Sequence, residues 1–363
     1  MLPQIEMKAV DIESLLQYTF TDKRIAVEAV QMAAPQIACM HNNNFEGLDN
    51  NKRLSVLGNA VLAKVLCGAW FEARDPSGQA RSQAQWTQLR NDMLSNDALA
   101  PRGYQAGLDE LVIVADSRPA VSPKMVATSL EAIIGAVYHD GGDEAALRVM
   151  NSLGFFDHPL LTLPAVNFPP LQPLYSFTPK ATFATTCVTE VVEPPARIDA
   201  QIAGVESAIG WVFKDKSFCA TALQMQTKLG VTLTFGGSDY FTEHNKVLEQ
   251  MGDRIMLAVL CKKWLQSQEY SYNLLQWHKT QQSLISNAAL AERGFALGLD
   301  AFVIRNSGTP AVSKYMMANT FEAIFGAVYM DAGEAGSKAV YHVLEHTGFI
   351  KDMLLSGTIL ADL

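Results

Sequence analysis

The sequence predicts an all-α protein made of two tandem copies of one helical domain. Three observations carry this expectation: a long internal repeat, apolar residues at helical spacing within each copy, and a proline-rich stretch between the copies. A repeat at fixed offset decides the architecture before any local reading does. Tyr18–Lys23 (YTFTDK) returns as Trp211–Lys216 (WVFKDK), and Arg53–Trp70 (RLSVLGNAVLAKVLCGAW) returns as Val247–Trp264 (VLEQMGDRIMLAVLCKKW). Ser95–Asp109 (SNDALAPRGYQAGLD) returns as Ser286–Asp300 (SNAALAERGFALGLD), and Val121–Gly142 returns as Val312–Gly333. The blocks keep their order, and every offset falls between 191 and 194 residues.

The elements within each copy follow from periodicity. Leu54, Leu57, Val61, Leu62 and Val65 recur at three- and four-residue spacing, as do Leu248, Met251, Ile255, Met256 and Val259, so each run is a helix with one apolar face. Ser95-Asn96 and Ser286-Asn287 are expected helix N-caps. GGD after Tyr138 and AGE after Tyr329 are expected to stop one helix and start the next. Little period-two alternation appears outside the linker, so no strands are expected in the domains. Eight of the fifteen prolines fall within Pro159–Pro195, which rules out a helix there, and the apolar residues among them suggest an extended segment lying along the domain surfaces. The expected organisation is a first domain at residues 1–155, a linker at 156–199, a second domain at 200–350 and a tail at 351–363.

Composition bounds the function. The 363 residues are 49% apolar and 18% charged, which is globular and not disordered. No uninterrupted apolar run reaches the ~18–20 residues of a membrane helix, and the first residues do not read as a signal or transit peptide. The cysteines are Cys39, Cys67, Cys187, Cys219 and Cys261, an odd count without a CxxC, so neither a disulfide framework nor a zinc site is expected. A reducing, cytoplasmic location follows as the expectation. Lys and Arg total 28 against 37 acids, giving −9, whereas nucleic-acid-binding domains often have a pI above ~9. The histidines His139, His278, His342 and His346 lack metal-ligand companions. Trp70, Trp86, Trp264 and Trp277 recur as matched pairs, which points to core packing.

Two acid pairs in the second copy can carry chemistry. Glu249 and Asp253 stand at i,i+4 and so leave one face of one helix, and Asn319 and Glu322 stand at i,i+3 on another. Four oxygen-bearing side chains from two facing helices suit a hard divalent cation, Mg2+ or Mn2+. The same spacing also describes an ordinary solvated face. One feature favours the site: Glu131 and Glu322 lie inside the apolar runs LEAIIGAVY and FEAIFGAVY, where a carboxylate needs a partner, a proton or a metal.

KVLEQMGDR (Lys246–Arg254) resembles the ribonuclease III signature, usually ERLEFLGDA, and ANTFEAIFGAVYMDAG resembles that family's second acidic motif, usually ADAFEAIIGAIYLDGG. SNAALAERGFALGLD resembles the helix between them, and the likeness extends over about residues 10–155 and 200–350. The resemblance implies two ribonuclease III-like domains forming an intramolecular pseudo-dimer, with homodimerisation as a further option. It also implies cleavage of double-stranded RNA with Mg2+ or Mn2+. The family's four ligand positions fall on Glu249, Asp253, Asn319 and Glu322 in the second copy, with Asn319 standing where the family has Asp. In the first copy they fall on Ser55, Asn59, Thr128 and Glu131, which leaves one carboxylate and a degenerate site. Further departures are Lys52 and Lys246 in place of the signature's leading Glu, Gln85 and Gln276 in place of another acid, and Val56 and Gln250 in place of an interface Phe. Only residues 351–363 follow the second copy, too few for a double-stranded-RNA-binding domain.

Three functions are therefore open at the sequence level. The first is a metal-dependent endoribonuclease with one centre, in the second copy, in which the acidic balance implies weak RNA binding or help from a partner protein. The second is a catalytically inactive scaffold in an RNA–protein assembly. The third is the fold reused for small-molecule chemistry or protein binding.

Overall fold

The computed structural model describes residues 4–78, 81–115, 120–161, 196–225, 231–242, 244–266, 274–305 and 308–353. It divides into two compact units, one holding the described residues up to 161 together with 260–266 and 274, the other holding 196–259 and 275–353. The linker expectation falls mostly on residues 162–195, outside the described residues, as does most of the tail.

The first unit runs α1 (Ile5–Leu16), α2 (Lys23–Val30), β1 (Gln36–His41), β2 (Asn44–Asp49), α3 (Lys52–Glu72), α4 (Gln83–Leu94), α5 (Asn96–Gln105) and α6 (Pro123–Ser152). The second begins with a short strand, β3 (Ala196–Arg197), then α7 (Asp199–Ile209), α8 (Lys216–Leu223), β4 (Val231–Phe235), β5 (Ser238–Thr242) and α9 (Lys246–Gln266). It continues through α10 (Leu274–Ile285), α11 (Asn287–Ala296), α12 (Lys314–Ala332) and α13 (Gly336–His346). The all-α expectation holds, with one correction. Each copy carries a small antiparallel hairpin before its long third helix, β1–β2 and β4–β5, and β3 pairs in parallel with β4. Both hairpins close through two residues of positive φ, Asn42-Asn43 and Gly236-Gly237. Two-residue hairpin loops require that geometry, so NN and GG were the overlooked signals. Edge strands this short leave too little alternation to register.

Capping explains why the helices begin where they do. The Ser95 and Ser286 hydroxyls accept from the amides of Ala98 and Ala289, and Ser122 and Ser313 cap α6 and α12 in the same way. Asp22 and Asp215 cap α2 and α8. Each satisfies a backbone donor that the first turn cannot use. The expected stop after Tyr138 and Tyr329 is also present: Gly142 (φ 73°) kinks α6, and Gly333 (φ 59°) ends α12.

The repeated motifs are repeated polar clamps. Glu13 pairs with Lys23 and accepts from the Phe20 amide, and Glu206 does the same with Lys216 and Phe213. Asp140 accepts from the Tyr18 hydroxyl at 2.7 Å, and Asp331 accepts from the Trp211 indole at 3.1 Å. Arg102 donates to the Leu153 carbonyl and lies over the Phe155 ring, while Arg293 donates to the Thr347 carbonyl and lies over Phe349. Asn51 and Asn245 donate to the carbonyls of Ala29 and Ala222. Buried polar groups need partners, so these residue types recur wherever the chain turns back on its core. Gln85 completes a capping box with Ser82 at the start of α4.

The core of each copy is one apolar helix crossed by another. Every residue from Met317 to Ala332 of α12 is buried. Helix α3 is long and apolar enough to cross a membrane, which corrects the expectation that no segment would be, yet 78% of that stretch is buried inside the protein. It also holds the buried Lys64, whose ammonium is paired with Asp143 and lies over the Tyr138 ring. The four repeat-matched tryptophans and the described cysteines are buried, as core packing requires.

The two copies differ under their hairpins. The first buries Glu28 beside Arg53 (3.6 Å), which also pairs with Asp49 (3.2 Å); the second places Thr221 against Thr242 at 3.0 Å. Burial pushes the Glu28 carboxyl up to about 7, and the Arg53 charge offsets only part of that rise. The folded value exceeds the unfolded one, so this contribution is fully present below about pH 4.5 and is lost as pH rises toward 7. A shift of this size corresponds to roughly 3 kcal/mol. Glu28→Gln should therefore flatten the fall in melting temperature between pH 5 and pH 8. Equal pH slopes in wild type and variant would remove the basis for this assignment.

Candidate functional site

The second-copy site is built at a helix crossing. A Cβ added at Gly252 of α9 would fall on the carbonyl oxygen of Glu322 and lie 2.9 Å from the Gly326 amide nitrogen; one added at Gly326 would meet the Leu248 carbonyl carbon at 2.9 Å. The two backbones therefore touch where neither helix carries a side chain. Glu249 and Asp253 flank Gly252 on α9, and Glu322 lies one turn before Gly326 on α12. The contact brings carboxylates from two helices to one place. The first copy makes the same crossing with Gly58 against Glu131 and Gly135.

Burial and charge distinguish the four residues. Glu249 and Asn319 are 6% exposed, and Glu322 is 8% exposed. The Asp253 side chain is 33% exposed and forms the rim. Burial, then the charges of Asp253 and Glu249, push the Glu322 carboxyl up to about 8. Burial also raises Glu249, against the pull of Lys246. Asp253 and Glu249 act on Glu322, and Asp253 acts on Glu249, so the three carboxylates influence one another across the crossing.

Two cations missed as site residues complete it. The Lys246 ammonium pairs with Glu249 Oε1, and Arg254 Nη1 donates to Asp253 Oδ2 at 2.6 Å. The signal lay in KVLEQMGDR, which sets Lys one turn before Glu249 and Arg directly after Asp253. Tyr315, at the start of α12, stands beside the same Lys246 ammonium. Glu249 Oε2 is buried without a hydrogen-bond partner. Among the described residues, no three His, Cys, Asp or Glu side chains converge on one ion as they stand. The donor chemistry nevertheless fits a hard divalent cation: an amide oxygen and three carboxylates, one of which has a buried, orphaned oxygen.

The first-copy equivalents close on themselves. The Ser55 hydroxyl donates to the Lys52 carbonyl at 2.9 Å, and Asn59 donates to Glu131 Oε1 at 2.7 Å. Burial raises the Glu131 carboxyl, and the Asn59 amide opposes that rise. Thr128 is half-buried on α6. This set offers one carboxylate, already hydrogen-bonded.

The sequence profile of the Ribonuclease-III-like family matches residues 38–155 and 236–346. Ribonuclease 3 of Homo sapiens is 27% identical over 300 residues, covering 78% of this chain and 20% of that protein. Ribonuclease 3 of Coxiella burnetii (strain CbuK_Q154) is 32% identical over 124 residues, covering 33% of this chain and 51% of that one. The chain thus spans about a fifth of the length of the mammalian relative and about half that of the bacterial one. The crystal structure of Dicer from Giardia intestinalis superposes with a TM-score of 0.58 at 13% identity, covering 94% of this chain and 63% of that one, a likeness of fold.

Proposed function

Because this chain belongs to the ribonuclease-III-like family, we propose that it is a metal-dependent endonuclease acting on double-stranded RNA, with its one working centre in the second copy. The observation that carries this reading is the asymmetry between two otherwise matched sites. Glu249, Asp253 and Glu322 form one electrostatic cluster at the α9–α12 crossing, whereas the first copy keeps only Glu131, bonded to Asn59.

Glu249, Asp253, Asn319 and Glu322 would hold Mg2+ or Mn2+, which when bound activates water and neutralises charge on a phosphodiester. The chain supplies the rest. Burial of Glu249, Asn319 and Glu322 keeps bulk water away, so a cation held there would meet the carboxylates with little screening. The half-exposed Asp253 presents the cluster to an approaching backbone phosphate. The Asn319 amide contributes an oxygen without a charge, leaving the cluster one charge short of a four-acid set. Arg254, paired with Asp253, would offer its guanidinium to phosphate oxygens. The first copy serves as a non-catalytic partner half.

A single centre cuts one strand at a time. With labelled long double-stranded RNA and Mg2+ or Mn2+, the expected product is a nicked duplex, visible only after denaturation, and chelation of the metal stops it. Staggered double-strand ends released at each event would contradict the single-centre reading, and folded protein that leaves the RNA intact with either metal would refute the nuclease itself. One observation favours a second reading, a non-catalytic member of an RNA–protein assembly: Lys246 and Arg254 already pair with two of the three carboxylates. Retention of the duplex in a binding assay, without cleavage, would support it.

A further inference from the structure

Lys246 lies one helical turn before Glu249, with its ammonium on Glu249 Oε1 and beside the Tyr315 hydroxyl. The remaining carboxylate oxygen, Oε2, is buried and has no hydrogen-bond partner. In the first copy the matching Lys52 is exposed, and among the described residues it pairs with no carboxylate; Ser55 stands in place of Glu249. The pair is thus a feature of the second copy alone.

We propose that Lys246 is a resident counter-ion of the acidic cluster, and that a divalent cation binds there only by displacing its ammonium from Glu249. This inference rests on reading the cluster as an Mg2+ or Mn2+ site. Like charges gathered in a poorly solvated crossing repel strongly, and such a cluster needs compensating cations to stay ionised. Arg254 supplies one from the rim, and Lys246 supplies the other against the buried Glu249. An incoming ion and the ammonium would both draw on Glu249, so the two compete. Tyr315, 60% exposed, gives the released ammonium an acceptor at the solvent edge.

The test is a Mn2+ titration of the full chain, with free Mn2+ read by its electron paramagnetic resonance signal. Wild type is compared with Lys246→Gln, Glu249→Gln and the double variant, with circular dichroism reporting folding. Lys246→Gln is expected to bind one Mn2+ on the order of tenfold more tightly than wild type, and the double variant should lose that gain. Lys246→Ala carries the same expectation if the glutamine variant does not fold. Equal affinity in wild type and Lys246→Gln, both lost in Glu249→Gln, overturns the competition but leaves the metal site standing. A gain that persists in the double variant overturns it as well, because the ion is then bound elsewhere. No binding by wild type or by Lys246→Gln overturns both the competition and the metal-site reading.

Discussion

On the proposed nuclease reading, Glu322→Gln is expected to lower cleavage of double-stranded RNA steeply, while Glu131→Gln is expected to leave it unchanged. The two glutamates are repeat partners on α12 and α6, inside nearly the same apolar sequence. Glu322 feels the charges of Asp253 and Glu249, whereas Glu131 accepts a hydrogen bond from Asn59. Glutamine keeps the shape at both positions and can still accept from Asn59. Only at 322 does the substitution remove a carboxyl group from a three-carboxylate cluster. Losing one such electrostatic group typically lowers turnover about a hundredfold to a thousandfold. Fold loss does not explain that outcome. The Glu322 carboxyl sits at about 8 in the folded protein, so its ionisation opposes folding as pH rises from about 4.5 toward 8. A residue that cannot ionise is spared this effect, and the variant should melt no lower than wild type at pH 8. Initial cleavage rates beside melting curves make the measurement. Equal rates for wild type and Glu322→Gln would move the chemistry away from the second copy.

Gly252→Ala is expected to destabilise the second unit by about 3 kcal/mol, the upper range for overpacking a rigid site. Helix propensity alone predicts the opposite sign, since alanine is favoured over glycine inside a helix by about 1 kcal/mol. The collision dominates because the added Cβ would meet backbone: the Glu322 carbonyl, with the Gly326 amide 2.9 Å away. A backbone carbonyl cannot swing aside as a side-chain tip can, so α9 and α12 must separate. That separation also pulls Glu249 and Asp253 away from Glu322, so cation binding should weaken together with stability. Gly58→Ala should destabilise the first unit in parallel through Glu131 and Gly135. Thermal or urea unfolding decides the matter. A Gly252→Ala protein as stable as wild type would show that the crossing has room to open.

Much of this was legible in the residues. The repeat gave the two-copy architecture, because each copy must bury the same apolar faces and tie the same turns. Serine caps and the GGD and AGE breaks could be read locally, since they depend on a few neighbouring residues. The four candidate ligands followed from helical spacing together with the family likeness. The hairpins escaped because their strands are five or six residues long. Their turn residues, Asn42-Asn43 and Gly236-Gly237, were the better evidence.

What the sequence determined by itself is therefore the helical class, the duplication and the identity of the acids, all properties of local pattern. The tertiary structure decided what surrounds those acids. It places Gly252 against Glu322 so that two helices approach to backbone contact, turns Lys246 and Arg254 onto Glu249 and Asp253, and bonds Asn59 to Glu131 in the degenerate copy. The ionisation of a carboxylate depends on the solvent and the charges around it in space. Spacing along a helix names the face on which an acid lies, but the partner helix settles whether that face meets water, a cation or another acid.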